Sequence, residues 1–376
     1  MSKQIRRMAA ALMVVASACA PPAAEVPGGP APRPGEEPRR EEPAEPRRED
    51  PLRIGLIVST SGSSVLKQYA DLVLAGARVA EESGSTPSRD VELVVRDDGG
   101  TPFGAEAAVR ELERAGVEVI VGPLMDEALI AAANARDSDD LVLISPTAVS
   151  QPFGVRNAWA LNVVDTRGAE ALGEYAARWS RVGVLYSRTP ESQRQAEAFM
   201  AAYARSGRGT LIDAAFPPGS SNVTDQLTLL RDSLVEAVYF PASERELQIV
   251  LPQMEYSLTA VQLLGNESWI GDAARRVPQR VLEGAIVATP LDQSSDAVAW
   301  QEFVAQYESL HRRSLSNPVP ALGYDAARLA LHALTTGDSR VSDFRGATGV
   351  ITLRDGDVTR RPFLLRIQGG RPVPLY

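Results

Sequence analysis

From Arg53 onward the chain repeats one beat, and that beat limits the folds open to it. Four short apolar runs, Arg53 to Val58, Val91 to Val95, Val117 to Val121 and Leu141 to Ile144, are separated by segments of helical period. Runs this short and this continuously apolar suit strands covered on both faces, and the helical segments between them suit crossovers in a parallel sheet. Ala105 to Ala115 alternates Ala, Val and Leu with Glu and Arg at helix spacing, and Gly116 stands as its C-terminal cap. The beat resumes after Asp165 with a helix to Trp179 and a strand from Val182 to Tyr186. A helix through Tyr203, a strand from Thr210 to Ala215, a further helix and a strand from Ala237 to Phe240 follow. Next come a helix through Tyr256, strands near Val261 to Leu264 and Gly284 to Ala288, and helices around Phe303 and Tyr324. The tail, Gly349 to Leu353 and Phe363 to Ile367 around Asp355-Gly356-Asp357, predicts a hairpin. The pattern is α/β, with two doubly wound parallel-sheet lobes, and 376 residues supply enough chain for two such bodies.

The first fifty residues follow different rules. Lys3, Arg6 and Arg7 precede an apolar run from Met8 to Val15 that is too short to span a bilayer, so residues 1–18 read as a secretory signal. Ala16-Ser17-Ala18-Cys19 resembles a bacterial lipoprotein cleavage box, which makes Cys19 the lipidated first residue of the exported chain. Ala16 stands where that box usually has leucine. Between Ala20 and Pro51 the composition is Pro, Glu, Arg, Ala and Gly, with Val26 the only large aliphatic side chain; no core can form there. Residues 19–51 therefore read as a lipidated cysteine plus a disordered tether.

Several function classes drop out. The formal charge is −9 and no basic patch follows the tether, so nucleic acid is not an expected partner. One cysteine and two histidines, His311 and His332, cannot build a disulfide framework or a structural zinc site. No Gly-x-Gly-x-x-Gly or Gly-Lys-Ser turn follows a strand, so no nucleotide cofactor is expected. Ser64 and Lys67 have the Ser-x-x-Lys spacing of penicillin-recognising acyl transferases, but Lys67 is the only lysine beyond the signal and the Lys-Thr-Gly partner is missing. Asp137-Ser138-Asp139-Asp140 matches no calcium loop. Neither an enzyme, a metal nor a cofactor is expected.

The strand-end motifs, taken in order, resemble the type I periplasmic binding proteins, in the branch of the leucine-binding proteins. They are the Ser59 to Ser64 loop, Arg96-Asp97-Asp98, Val121-Gly122-Pro123-Leu124, Ile144-Ser145-Pro146-Thr147-Ala148, Gly323-Tyr324-Asp325-Ala326-Ala327 and Phe344-Arg345-Gly346-Ala347-Thr348-Gly349. The resemblance spans Arg53 to the C-terminus. It implies two lobes joined by three crossovers, here near Val163 to Thr166, Ala288 to Leu291 and Gly337 to Phe344. Residues 52–163 and 290–340 would then form lobe 1, and residues 164–289 and 341–376 lobe 2. It further implies a hinged trap that closes on a solute by differential affinity for the closed state.

In amino-acid binders of that family, first-lobe hydroxyls and backbone groups hold the carboxylate and a second-lobe acid holds the ammonium. This sequence departs from the pattern: Leu124-Met125-Asp126-Glu127-Ala128 replaces a serine-rich run, and Val149 replaces a carboxylate-binding threonine. Glu267 falls near the ammonium acid. Strand-end position and motif together give Ser61, Ser63, Ser64, Asp126, Glu127, Thr147, Ala148, Tyr186, Tyr239 and Glu267 as ligand candidates. The plainer readings are helix capping for the serines, helix N-terminal charge for Asp126 and Glu127, packing for the tyrosines and a solvated loop acid for Glu267.

The implied function is a lipid-anchored, extracytoplasmic receptor for an amino acid or related small polar solute, feeding an ABC permease, on a membrane whose leaflet the sequence does not specify. The alternative is a lipoprotein activator of a peptidoglycan synthase, working by protein contact.

Overall fold

The computed structural model describes residues 49–163, 165–207, 209–271, 274–291 and 297–375. The signal, Cys19 and nearly all of the tether lie outside them. Among the described residues, no helix is long and apolar enough to cross a membrane.

The opening beat folds as β1 (Leu52–Val58), α1 (Ser64–Gly84), β2 (Val91–Asp97), α2 (Pro102–Arg114), β3 (Val119–Val121), α3 (Asp126–Ala135), β4 (Val142–Ser145) and β5 (Ala158–Ala160). The strands form one parallel sheet in the order β2-β1-β3-β4-β5. Its apolar runs feed both faces alternately. Ile54, Leu56 and Val58 enter one core, while Ile57, Ile120 and Leu143 enter the other. Each fully buried aliphatic side chain contributes about 1.5–3 kcal/mol, so a strand with both faces covered needs no polar face. Thr101 and Thr189 cap helices whose first residue is proline, which is why those helices start where they do.

The second beat gives α4 (Arg167–Ala176), β6 (Arg181–Ser187), α5 (Pro190–Arg205), β7 (Thr210–Phe216), α6 (Thr224–Asp232), β8 (Ala237–Phe240), α7 (Glu244–Ser257), β9 (Gln262–Gly265), a short α8 (Gln279–Leu282) and β10 (Ile286–Thr289). The chain then returns to the first core through α9 (Val298–His311) and α10 (Val319–Thr336). Helices α1 and α10 cross backbone to backbone. A Cβ on Gly76 would lie 1.7 Å from the Pro320 carbonyl oxygen, and one on Gly323 would lie 2.2 Å from that of Val73.

Residues 341–360, grouped with lobe 2 by the sequence reading, instead form β11 (Val341–Gly346), β12 (Gly349–Arg354) and β13 (Asp357–Arg360), a separate antiparallel sheet. Ile351, Leu353 and Val358 point into the core shared by β1, α1 and α10. The expected hairpin partner is corrected too: Asp355 and Gly356, both at positive φ, turn β12 into β13 rather than into residues 363–367. Those residues form β14 (Phe363–Gln368), which pairs antiparallel with β10 and with β15 (Arg371–Pro374). The second sheet has the order β15-β14-β10-β9-β8-β6-β7. The third crossover is accordingly Arg361-Pro362, not Gly337 to Phe344. The chain also passes between the two sheets after β5 and after β10.

Candidate functional site

All three crossovers meet at one cavity. Its volume is about 60 Å³, and it opens to solvent. Asn162, Val163 and Asp165 line it from the first crossover, Thr289 and Pro290 from the second, and Arg360 and Pro362 from the third. Second-lobe strand ends supply Tyr239, Asn266 and Glu267, while Gly168, Ala169 and Gln195 complete it from α4 and α5. Crevices beyond the carboxyl ends of parallel strands are where doubly wound sheets take ligands.

Two charged groups dominate. Glu267 begins the turn after β9, its side chain exposed to solvent where it lines the cavity, though the protein around it still partly desolvates the carboxyl. Burial pushes its carboxyl above the usual range, the nearby Glu191 and Asp165 charges push the same way, and Arg360 opposes them. No hydrogen bond contributes to that shift. Arg360 is 3% exposed. Its Nη1 donates to the Leu161 carbonyl at 3.0 Å, and its Nη2 donates to the Thr348 carbonyl at 3.0 Å and to the Thr348 hydroxyl. Its Nε has no partner among the described residues.

Burial depresses the guanidinium's pKa, opposed by the charges of Asp325, Asp165 and Glu267. Asp325, buried in α10, takes the N–H groups of Ala347 and Thr348 at 2.7 Å each and the Thr348 hydroxyl. Those contacts join two of the sequence motifs, the Gly323 to Ala327 helix and the Phe344 to Gly349 turn. Asp165 takes the Arg167 N–H at 2.5 Å and the Arg360 N–H at 3.4 Å, and burial raises its pKa.

Of the ten ligand candidates, Glu267 and Tyr239 line this cavity. Tyr239 is fully buried: its ring stacks on Phe199 at 4.4 Å, its hydroxyl donates to Gln195 Oε1 at 3.2 Å, and burial followed by the Glu267 charge raises its pKa. Tyr186 lies instead in a separate depression with Arg188 and Asp213, its hydroxyl 3.5 Å from Asp213 Oδ2.

The other seven sit at first-lobe strand ends and do not line the crossover cavity. Ser63 caps α1, accepting the Leu66 N–H at 3.4 Å, and Ser64 is the exposed first residue of that helix. The Ser61 N–H and side chain bond Asp97. Asp126 Oδ1 accepts the N–H groups of Val149 at 2.8 Å and Ser150 at 3.3 Å, while Glu127 is exposed on the first turn of α3. The Thr147 hydroxyl donates to the Leu124 carbonyl at 2.6 Å, and Ala148, buried, gives its N–H to Ser145 Oγ.

Asn162, Asp165, Gln195, Asn266, Thr289 and Arg360 were not singled out from sequence. One signal pointed to Arg360: it follows buried Val358 by two residues, so strand alternation turns it inward.

A family model described as periplasmic binding protein matches residues 51–360. A Leu/Ile/Val-binding protein from Rhizobium johnstonii is 22% identical over 316 residues, 81% of this chain and 84% of that protein. A Rhodospirillum rubrum structure, described as a candidate branched-chain amino acid ABC transporter, superimposes with a TM-score of 0.74 at 20% identity, covering 86% of this chain and 100% of the other. An ABC transporter substrate-binding protein from Desulfitobacterium hafniense, in complex with Leu, gives 0.62 at 21% identity, covering 87% and 100%. At these identities the structural likeness is one of fold.

Proposed function

The chain belongs to the periplasmic binding protein family, which binds solutes rather than transforming them, and from that premise we propose that it is the extracytoplasmic receptor of an ABC transporter for an amino acid or related small polar solute. The observation that carries the reading is the crossover cavity, in which Glu267, a carboxylate that takes no hydrogen bond among the described residues, stands ready for a basic nitrogen. Two lobes on three linkers allow a guest touching both walls to shift the chain toward a closed state by its differential affinity. The matching relatives are named for solute binding and transport, which favours this role over the synthase-activator alternative.

Ser61, Ser63, Ser64, Asp126, Glu127, Thr147 and Ala148 form the facing first-lobe wall in this reading. Glu267 is the ligand-contacting acid, and Tyr239 and Tyr186 support the second-lobe wall. The Cys19 lipid and the Pro/Glu/Arg tether hold the receptor near a bacterial membrane, beside its permease.

Thermal unfolding against a panel of amino acids, amides, amines and short peptides tests the receptor role. A millimolar solute bound with micromolar affinity adds about 4 kcal/mol to the native state. A flat panel would refute the role. Cys19→Ser tests the anchor, which is wrong if the variant keeps the mass and membrane partitioning of the unaltered chain.

A further inference from the structure

Many of the hydrogen-bond donors at the first-lobe strand ends are taken by the chain's own carboxylates. Beyond β1 and β2, Asp97 Oδ1 accepts the N–H groups of Thr60 at 2.8 Å, Ser61 at 3.3 Å and Gly99 at 3.0 Å. Asp98 Oδ1 accepts the Ser59 hydroxyl at 2.7 Å and the Gly100 N–H at 2.8 Å. Beyond β3 and β4, the Ser145 and Thr147 hydroxyls turn back onto the Pro123 and Leu124 carbonyls. Successive N–H groups in a turn make a concavity suited to an anion. At Val149 and Ser150 that concavity holds Asp126. A guest's carboxylate brought there would find its donors occupied and a like charge in its place.

The opposing wall also offers negative charge. Glu267 receives no hydrogen bond among the described residues, and Glu191 and Asp165 stand near enough to interact with it. The cation lining the cavity, Arg360, has its terminal nitrogens tied inward to Leu161 and Thr348. In the first-lobe segments 59–67, 98–103, 122–127 and 145–151, the one basic side chain is Lys67, exposed on α1. Met125 and Val149, 46% and 44% exposed, give that wall an apolar surface.

Resting on the receptor reading above, we infer that the guest is an organic cation without a free carboxylate, an amine or an amino-acid amide on an apolar body, held by Glu267 and shielded from anionic competitors by Asp126. Asp126 thus acts as a specificity element, because it fills the position a zwitterion's carboxylate would need.

The test uses the purified full chain and sets of compounds that share one apolar body. Leucine, leucinamide, isoamylamine and isovalerate make one set, and the phenylalanine equivalents another, read by melting shift and calorimetry. Leucinamide-type and amine members should bind at least ~10-fold tighter than the parent amino acid, the effect of leaving about one charged group unmatched, and the carboxylates should give no shift. Glu267→Gln should remove the shift, Lys67→Ala should leave it, and the isosteric Asp126→Asn should narrow the gap between amide and amino acid. Tighter binding of the amino acid or carboxylate, or loss of binding in Lys67→Ala, overturns the inference and leaves the receptor reading standing. No shift from any member of either set defeats the receptor reading and the inference together.

Discussion

Replacing Arg360 with methionine should destabilise the whole body, not one loop. The methionine keeps a comparable stem and removes three donated hydrogen bonds. The carbonyls of Leu161 and Thr348 then lose the donor that reached them at 3.0 Å inside the protein, at about 1–3 kcal/mol for each group left unsatisfied. Asp325 stays buried, keeps its three donors from Ala347 and Thr348, and loses the positive charge that favours its ionised form.

Against this, the variant no longer has to desolvate a guanidinium, which is the larger influence on Arg360 in the folded protein. Removing one member of a buried charge pair typically costs about 3–5 kcal/mol, so with that relief the expected loss is about 3 kcal/mol. At about 2–4 °C per kcal/mol for 150–250 residues, and less for a longer chain, melting should fall by up to roughly 6–12 °C. Urea unfolding followed by tryptophan fluorescence measures the free energy directly, and an unchanged denaturant slope would show that the native state, not the unfolded chain, was altered. A cycle with Asp325→Asn should give a coupling of about 0.5–3 kcal/mol, as groups within one hydrogen-bonded network do. A loss below about 1 kcal/mol, or additivity with Asp325→Asn, would show that the two charges do not act as one buried unit.

Solute affinity should fall as pH is lowered through the range above ordinary carboxylate values. Glu267 must be ionised to hold a cation, and its raised pKa brings protonation on early; an affinity that stays flat down to the usual carboxylate range would contradict the assignment. Asp97 behaves oppositely. Burial pushes it up, but hydrogen bonds from the Ser61 side chain and from the N–H groups of Gly99, Ser61 and Thr60 outweigh that and bring it to about 2. Its stabilisation is complete above its ordinary pKa and lost as pH falls from there toward about 2, so Asp97→Asn should flatten the acid limb of a melting-temperature profile. Gly76→Ala should cost about 1–3 kcal/mol or more, because a Cβ 1.7 Å from the Pro320 carbonyl must push α1 off α10; a variant that melts like the parent would mean that this helix pair gives way freely.

The strands were readable because both faces of each sheet are covered, so buried sequence appears as short unbroken apolar runs such as Ile54 to Val58. β5 was not readable, because Ala158 to Ala160 is three residues long and no periodicity shows at that length. The tail was misassigned for a related reason. Gly349 to Leu353 and Phe363 to Ile367 have similar apolar patterns, and pattern alone does not say that the Asp355-Gly356 turn closes on the four residues between them. At the site, motif position singled out Glu267, since a strand-end acid is visible in sequence. It did not distinguish an available donor from an occupied one. Asp126 and Val149 are separated by 22 intervening residues, and only the fold shows that one satisfies the other. Arg360 and Asp165 became site residues through a meeting of crossovers 195 positions apart.

The same contacts constrain how the lobes can move. Arg360 grips Leu161, just past the end of β5, through its side chain, and reaches Asp165 through its own N–H. The first and third crossovers are therefore tied to each other and to Thr348 in the first-lobe body. A rotation that separated those two linkers would expose a buried cation and strand two carbonyls, a cost comparable with the stability of the domain. Closure in the proposed cycle must therefore leave those ties intact. Glu267 interacts with Arg360 across the cavity. A cation seated on Glu267 would compete for that attraction, so the guest's charge would act on the tie that joins two of the three linkers.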